Sequence, residues 1–209
     1  MPGGEGMGNR ESEAVFRLRK ELAEFSRRAF CRGLVSGAGG NISVRVPNTD
    51  AVLITPTGIS LGDVEPEGNL LVNLQGAILE SPFGLKPSKE CSFHLVVYQL
   101  RPEVGAIAHV HPPYATAYAN KGRPLPLVTV SSRVILKEVP WIDCALPGSK
   151  ELCDFVHGGI KGHPVAKAVL MKEHGILALG ADLKAAYYLA DLVEDTAKVA
   201  FIEANIKMP

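Results

Sequence analysis

From Ser12 to Cys31, apolar side chains recur at Val15, Leu18, Leu22, Phe25 and Ala29. Steps of three and four place them on one stripe of a helix, which Gly33 then stops. After the glycine-rich turn SGAGGN the period changes, because Ile42, Val44 and Val46 alternate with polar residues as in a half-buried strand. AVLITPTG predicts a second strand ending in a Thr-Pro-Thr-Gly turn, and the two strands make a hairpin. NLLVNLQGAIL reads as a further hairpin around Gln75-Gly76.

KPSKECSFHLVVYQLRPE opens at Pro87-Ser88 and ends before Pro102, the punctuation of a helix with Glu90 in its first turn. GAIAHVHPP is a strand, YATAYANKG a short helix, and LPLVTVSSRVILKEVPWI less regular strand material. SKELCDFVHGGIKG predicts a helix opened by Ser149, and AKAVLMKEHGILALG two strands joined at Glu173-His174-Gly175. Asp182 caps a long helix that runs to about Asn205, with Leu189, Val193, Ala197 and Ala200 on one stripe. Helices at both ends and strands between them imply a layered α/β domain with no internal repeat, low-complexity run or linker.

The 209 residues suit one domain, spanning 11–209 behind a flexible N-terminal segment of residues 1–10. Lysine and arginine number 22, as do aspartate and glutamate, so no global field recruits nucleic acid or an anionic membrane. No apolar stretch approaches the roughly 20 residues needed to span a bilayer. MPGGEGMGNRESE lacks the order of an export signal, which makes the cytoplasm the expected location. Cys31, Cys91, Cys144 and Cys153 lie far apart without a C-x-x-C pair and are expected as free thiols.

Two of the six histidines stand one residue apart in IAHVHPPYA. On a strand, alternate side chains share a face, so His109 and His111 point the same way with alpha carbons about 6.5–7 Å apart. That spacing is compatible with a shared metal ion, and equally with one hydrogen-bonded core histidine and one exposed at a strand end. His174 is the best third ligand, because the following Gly175 lets backbone approach closely at a turn between two apolar segments. His157 and His163 lie beside Gly or Pro in expected loops, and His94 in mid-helix reads as packing or as a group supporting the site. Three neutral imidazoles would leave a cation with an open position, the arrangement of a Lewis acid. Glu90 suits the accompanying acid/base role, although a carboxylate in a first helical turn is also expected from the helix dipole alone.

SGAGGN, TPTG and PSK each combine exposed amides with hydroxyl, amide or lysine side chains, the groups that hold a phosphate when they converge. None is a Walker loop, and a strand rather than a helix follows GAGGN, which excludes a dinucleotide fingerprint. Lys89, beside Ser88 at a helix start, favours an anion at that segment.

Taken in order, GAGGNISVR, LITPTG, KPSKE, HVHPPYATA and EHGILALG resemble the class II aldolase/adducin family, most closely its fuculose-phosphate aldolase branch. The resemblance implies a three-layer α/β/α fold around a mixed, mostly antiparallel sheet. It also implies a homotetramer with active sites between neighbouring subunits. It implies zinc, or another divalent cation, on His109, His111 and His174, with Glu90 as the catalytic carboxylate. A substrate phosphate would be bound at Asn41, Thr57, Gly58, Ser88 and Lys89, where Lys89 replaces a common serine. The implied reaction cleaves a phosphorylated sugar, a ketose 1-phosphate, to dihydroxyacetone phosphate and an aldehyde through a metal-stabilised enediolate. Related epimerases, dehydratases and decarboxylases share that chemistry, and adducin-type heads share the fold as non-catalytic scaffolds. The family aldolase's interfacial tyrosine aligns near Val130, and its C-terminal tyrosine has no counterpart before Pro209. Tyr114, Tyr118 or a water are therefore the candidates for protonating the aldehyde.

Overall fold

The computed structural model describes residues 5–207. Residues 1–4 of the segment expected to be flexible lie outside the described residues, and residues 5–10 fall within the first helix, α1 (Glu5–Cys31). Eight strands follow in chain order: β1 (Asn41–Arg45), β2 (Ala51–Ile54), β3 (Leu70–Asn73), β4 (Ile78–Glu80), β5 (Ala106–Val110), β6 (Trp141–Ile142), β7 (Ala168–Met171) and β8 (Gly175–Gly180). The helices between and after them are α2 (Cys91–Leu100), α3 (Pro113–Ala119), α4 (Val130–Ile135), α5 (Lys150–Gly162) and α6 (Leu183–Asn205).

The strands form one sheet in the order β4-β3-β2-β1-β5-β8-β7-β6. Every neighbouring pair is antiparallel except β6 with β7. The expected mixed, mostly antiparallel three-layer α/β/α architecture is therefore the one observed. Alternation along β5 shows how both faces are covered. Ala106, Ala108 and Val110 join the core beneath α1 and α6, with Leu22, Leu189 and Val193. Ile107 faces the opposite core, built with Phe93 and Val97 of α2 and with Val156 and Ile160 of α5. Each fully buried Val, Leu or Ile among them contributes roughly 1.5–3 kcal/mol of transfer free energy, so the two cores clamp β5 from both sides.

Most predicted elements lie where periodicity puts them, including Ser149 and Asp182 as helix caps that accept from Leu152 N–H and Ala185 N–H. Three differ. LPLVTVSSRVILKEVPWI contains a helix, α4, because Thr129 and Ser132 close a capping box, and only Trp141–Ile142 of that stretch is strand. His157 lies on α5 rather than in a loop, and His163 is that helix's C-cap with Nδ1 3.1 Å from the Glu138 carboxylate. α2 begins at Cys91, so Glu90 is the N-cap residue rather than part of the first turn.

Candidate metal and phosphate site

β5 carries His109 to the α2 side of the sheet, where the ring is fully buried. His111 follows just past the strand end, and Pro112-Pro113 then turns the chain into α3. His174 stands in the β7–β8 turn, where its N–H donates to the Met171 carbonyl at 3.1 Å. Register brings that turn alongside: His109 pairs with Leu177 and Val110 with Ile176 across β5 and β8. The turn needs Glu173 at φ 56°, a left-handed conformation that costs a non-glycine residue about 1 kcal/mol or more. Asn120, the α3 C-cap, secures it by accepting from Glu173 N–H at 2.7 Å.

His109 Nε2 lies 2.9 Å from His111 Nε2 and 3.3 Å from His174 Nε2. Glu90 completes the cluster with Oε1 2.7 Å from His174 Nε2 and Oε2 3.1 Å from His109 Nε2. Its side chain makes no helix-capping bond, so the dipole reading gives way to these partners. Asn41, opposite His109 on β1, donates Nδ2 to Glu90 Oε2 at 2.7 Å. The His111 ring is held between two glycines. A Cβ at Gly39 would stand 2.9 Å from its Nδ1, and one at Gly175 2.7 Å from its Cδ2. Glycine is needed at both places because the ring fills the space a side chain would take.

The donor chemistry fits a divalent cation. His109 Nδ1 lies 3.0 Å from the Ile176 carbonyl, which only accepts, so Nδ1 carries the proton and Nε2 turns a bare lone pair toward the cluster. Burial, reinforced by the neighbouring His109 and His174 imidazoles, pushes His111 down to about 3, leaving it neutral and free to ligate at pH 7. Burial alone would raise the Glu90 carboxyl; positive charge among the His109 and His174 nitrogens, carried by protons in the bare site or by a cation in the loaded one, outweighs it and holds the group well below the usual carboxylate range. Three imidazole nitrogens and a carboxylate, with ligand atoms all within 4.8 Å of one another, repel unless protons or a cation lie among them. Two nitrogens at about 2.0–2.1 Å from one tetrahedral ion are roughly 3.3 Å apart, close to the spacing of these rings.

A cavity of about 210 Å³ opens over this cluster, and Glu90, His111 and His174 form part of its wall. The rest includes Asn41, Thr57, Gly58, Ser88 and Lys89, all five positions selected from sequence for an anion. Backbone pairing explains why segments 30 residues apart converge: Thr57 N–H donates to the Lys86 carbonyl at 2.9 Å, and Ser88 N–H to the Thr55 carbonyl at 3.4 Å. Gly58, at φ 75°, makes the tight turn that exposes amides beside Thr57. Among the described residues lining the cavity, Lys89 is the only lysine or arginine.

Pro147 also lines this cavity and was not selected from sequence. Its one local signal is the Pro-Gly turn ahead of Ser149; its approach to the site depends on Gly148, where a Cβ would stand 2.9 Å from the Lys89 carbonyl. Neither tyrosine candidate for proton transfer lines the cavity. Tyr114 packs against Phe201 with ring centroids 5.5 Å apart, and Tyr118 is buried in the core. Val130 lies at the exposed start of α4.

The profile of the family described as Class II Aldolase and Adducin N-terminal domain matches residues 20–201. The chain belongs to this family. An L-fuculose phosphate aldolase of Methanococcus maripaludis is 33% identical over 187 residues, covering 90% of this chain and 98% of that protein. A 3-oxo-tetronate 4-phosphate decarboxylase of Haemophilus influenzae is 33% identical over 192 residues, covering 88% and 87%. Among solved structures, an L-fuculose 1-phosphate aldolase superposes with a TM-score of 0.83 at 30% identity, covering 92% of this chain and 91% of that one. This class II aldolase family member is a lyase-type enzyme. Among the described residues, no helix is long and apolar enough to cross a membrane.

Proposed function

We propose that the enzyme is a zinc-dependent aldolase that cleaves a ketose 1-phosphate of the fuculose 1-phosphate type to dihydroxyacetone phosphate and an aldehyde. One observation carries this reading: the histidine–glutamate cluster and the anion-binding turns share a single cavity wall. A phosphate seated there would leave the adjacent carbonyl and hydroxyl of a 1-phosphate facing the cluster.

His109, His111 and His174 would hold the cation, which when bound supplies Lewis-acid polarisation of substrate oxygens and offsets the charge that develops as the carbon–carbon bond breaks. Thr57, Gly58, Ser88 and Lys89 bind the phosphate, with Asn41 adjoining, and so fix which bond faces the cluster. Glu90 moves the proton at the hydroxyl-bearing carbon. Held ionised, it takes that proton in the synthetic direction, and microscopic reversibility makes it the donor in cleavage. Asn41 orients Glu90 through the Oε2 contact. Because no tyrosine among the described residues lines the cavity, the aldehyde oxygen takes its proton from water or from a group contributed by a neighbouring subunit. A homotetramer with active sites between subunits belongs to this reading, and the exposed apolar side chains of Val130, Val134 and Tyr188 offer surface for association between copies. Four unpaired thiols fit a cytoplasmic setting. A non-catalytic scaffold has no physical need for the intact ligand set.

The similarity to a 3-oxo-tetronate 4-phosphate decarboxylase supports a second reading, decarboxylation of a sugar-acid phosphate. The single cationic side chain of the cavity favours the ketose phosphate, which carries no carboxylate beside its phosphate. Incubation with fuculose 1-phosphate and a panel of other ketose 1-phosphates, with enzymatic detection of triose phosphate, tests the proposal. The expected result is release that stops on chelation and in His109→Ala. No release from any of them by protein with a bound divalent cation would overturn it, and carbon dioxide from 3-oxo-tetronate 4-phosphate would establish the second reading.

A further inference from the structure

His94 has no place in the chemistry above, yet it lies fully buried one helical turn beyond Glu90. Burial pushes its imidazole down to about 3, so it stays neutral at physiological pH. Its Nδ1 lies 2.7 Å from Ser43 Oγ, and that hydroxyl lies 2.9 Å from the Tyr98 hydroxyl. Its Nε2 has no partner among the described residues. A neutral histidine with one idle nitrogen costs stability that an apolar side chain of similar volume would not. The feature calls for a role beyond packing.

The spacing supplies one. Asn41 and Ser43 are two residues apart on β1 and share a face, about 6.5–7 Å from one another. Glu90 and His94 are four residues apart across the start of α2, separated by about one helical turn of 5.4 Å. The Asn41–Glu90 and Ser43–His94 contacts thus tie α2 to β1 at two matched points, and Asn41 is the β1 residue opposite His109. Ser43 also meets the Tyr98 hydroxyl and Arg45 donates to the Tyr98 carbonyl at 2.7 Å, so the far end of α2 is held separately; the Ser43–His94 tie is the one next to Asn41–Glu90 and fixes the height of Glu90 above the His109 ring. Phe93 reinforces the arrangement by stacking on His94 and presenting its ring edge-on to His109, with centroids 5.0 and 5.3 Å apart.

We propose that His94, acting through Nδ1 on Ser43, is a positioning residue that sets the Glu90 carboxylate against the histidine cluster. This rests on the reading of Glu90 as the proton-transfer group. The test compares Ser43→Ala, His94→Gln and His94→Asn with the parent enzyme, each loaded with Co²⁺. Asparagine places an amide near the position of Nδ1 and keeps the tie, whereas glutamine reaches only the position of Nε2.

Ser43→Ala and His94→Gln are expected to lower kcat about tenfold with KM held within about twofold, because a misplacement of about 1 Å is felt in the chemical step. They are also expected to shift the visible Co²⁺ spectrum and weaken Co²⁺ affinity about tenfold, because moving the Glu90 carboxylate takes a negative charge away from beside the cation. His94→Asn should recover most of each effect. Unchanged kcat and Co²⁺ spectrum in Ser43→Ala, or asparagine performing no better than glutamine, would overturn the proposal even if melting temperatures fall. Ser43→Ala removes a single atom, so it keeps the test standing should the His94 variants not fold. If the parent binds Co²⁺ but cleaves no ketose phosphate, the aldolase reading fails, and the Co²⁺ spectrum and affinity of Ser43→Ala still decide the role of the tie.

Discussion

Gly175 follows His174 at the start of β8, and the chain leaves no room there for a side chain. In Gly175→Ala the new methyl would stand 2.7 Å from His111 Cδ2 and press on the Val110 carbonyl as well. Carbon contacts become ordinary at 3.4 Å, and the Val110 carbonyl is backbone that a ring shift does not relieve, so β8 must move away from β5 and the spacing to the His111 ring must open by about 0.7 Å. A working metal or catalytic constellation tolerates about 0.5 Å. Overpacking of this kind costs roughly 1–3 kcal/mol of stability, and a displaced ligand lowers metal affinity about 10–100-fold, or ~1.4–2.7 kcal/mol. The assay is competition for Zn²⁺ between a chromophoric chelator and metal-stripped protein, with thermal unfolding measured alongside. Gly158→Ala is the control: it lies on α5 with open space about it, and is expected to stabilise by about 0.4–1 kcal/mol without touching affinity. A Gly175→Ala protein that binds Zn²⁺ as tightly as the parent would refute the claim that close packing of β8 on His111 sets the site.

Lys89→Ala is expected to raise KM for a phosphorylated substrate about tenfold with a smaller effect on kcat, the modest size reflecting an exposed charge; equal KM in steady-state kinetics would remove Lys89 from the phosphate site. Asn120→Ala frees the strained Glu173 turn and should weaken Zn²⁺ binding, Asn120→Asp should restore it by supplying the same acceptor oxygen, and titration calorimetry distinguishes the two. For metal-stripped protein, folding keeps His94 and His111 neutral with both pushed down to about 3, whereas the unfolded chain takes up those protons near about 6.5. Stability must then fall as pH drops from about 6.5 toward about 3, and the depressed Glu90 carboxyl acts in the same direction at the acid end. Urea midpoints at pH 7, 6 and 5 that stay level would contradict this.

Much of the site was legible because its residues sit where local pattern is strong. His109 and His111 stand out from an alternating strand, and His174 from a turn whose glycine announces close approach. α4 was missed for a local reason. Val130, Val134 and Ile135 are β-branched and favour strands, while the Thr129–Ser132 capping box that turns them into a helix uses serine where glutamate is the recognisable signal. Pro147 was out of reach because its place over the cavity depends on packing between Gly148 and Lys89, far apart in the chain. The partners of His94 were equally hidden: Ser43 is 51 residues away, and the strand register that aims it at α2 is a property of the folded sheet. Glu90 was found as a carboxylate at a helix start, but only the imidazoles of His109 and His174 explain why its side chain abandons the cap.

Anomalous diffraction at the zinc edge, from crystals of protein purified without chelator, tests the central claim most directly. The account predicts one peak per chain, about 2.0–2.1 Å from Nε2 of His109, His111 and His174, at the floor of the cavity walled by Thr57, Ser88 and Lys89. A divalent ion bound elsewhere, with these three rings engaging only one another, would contradict it.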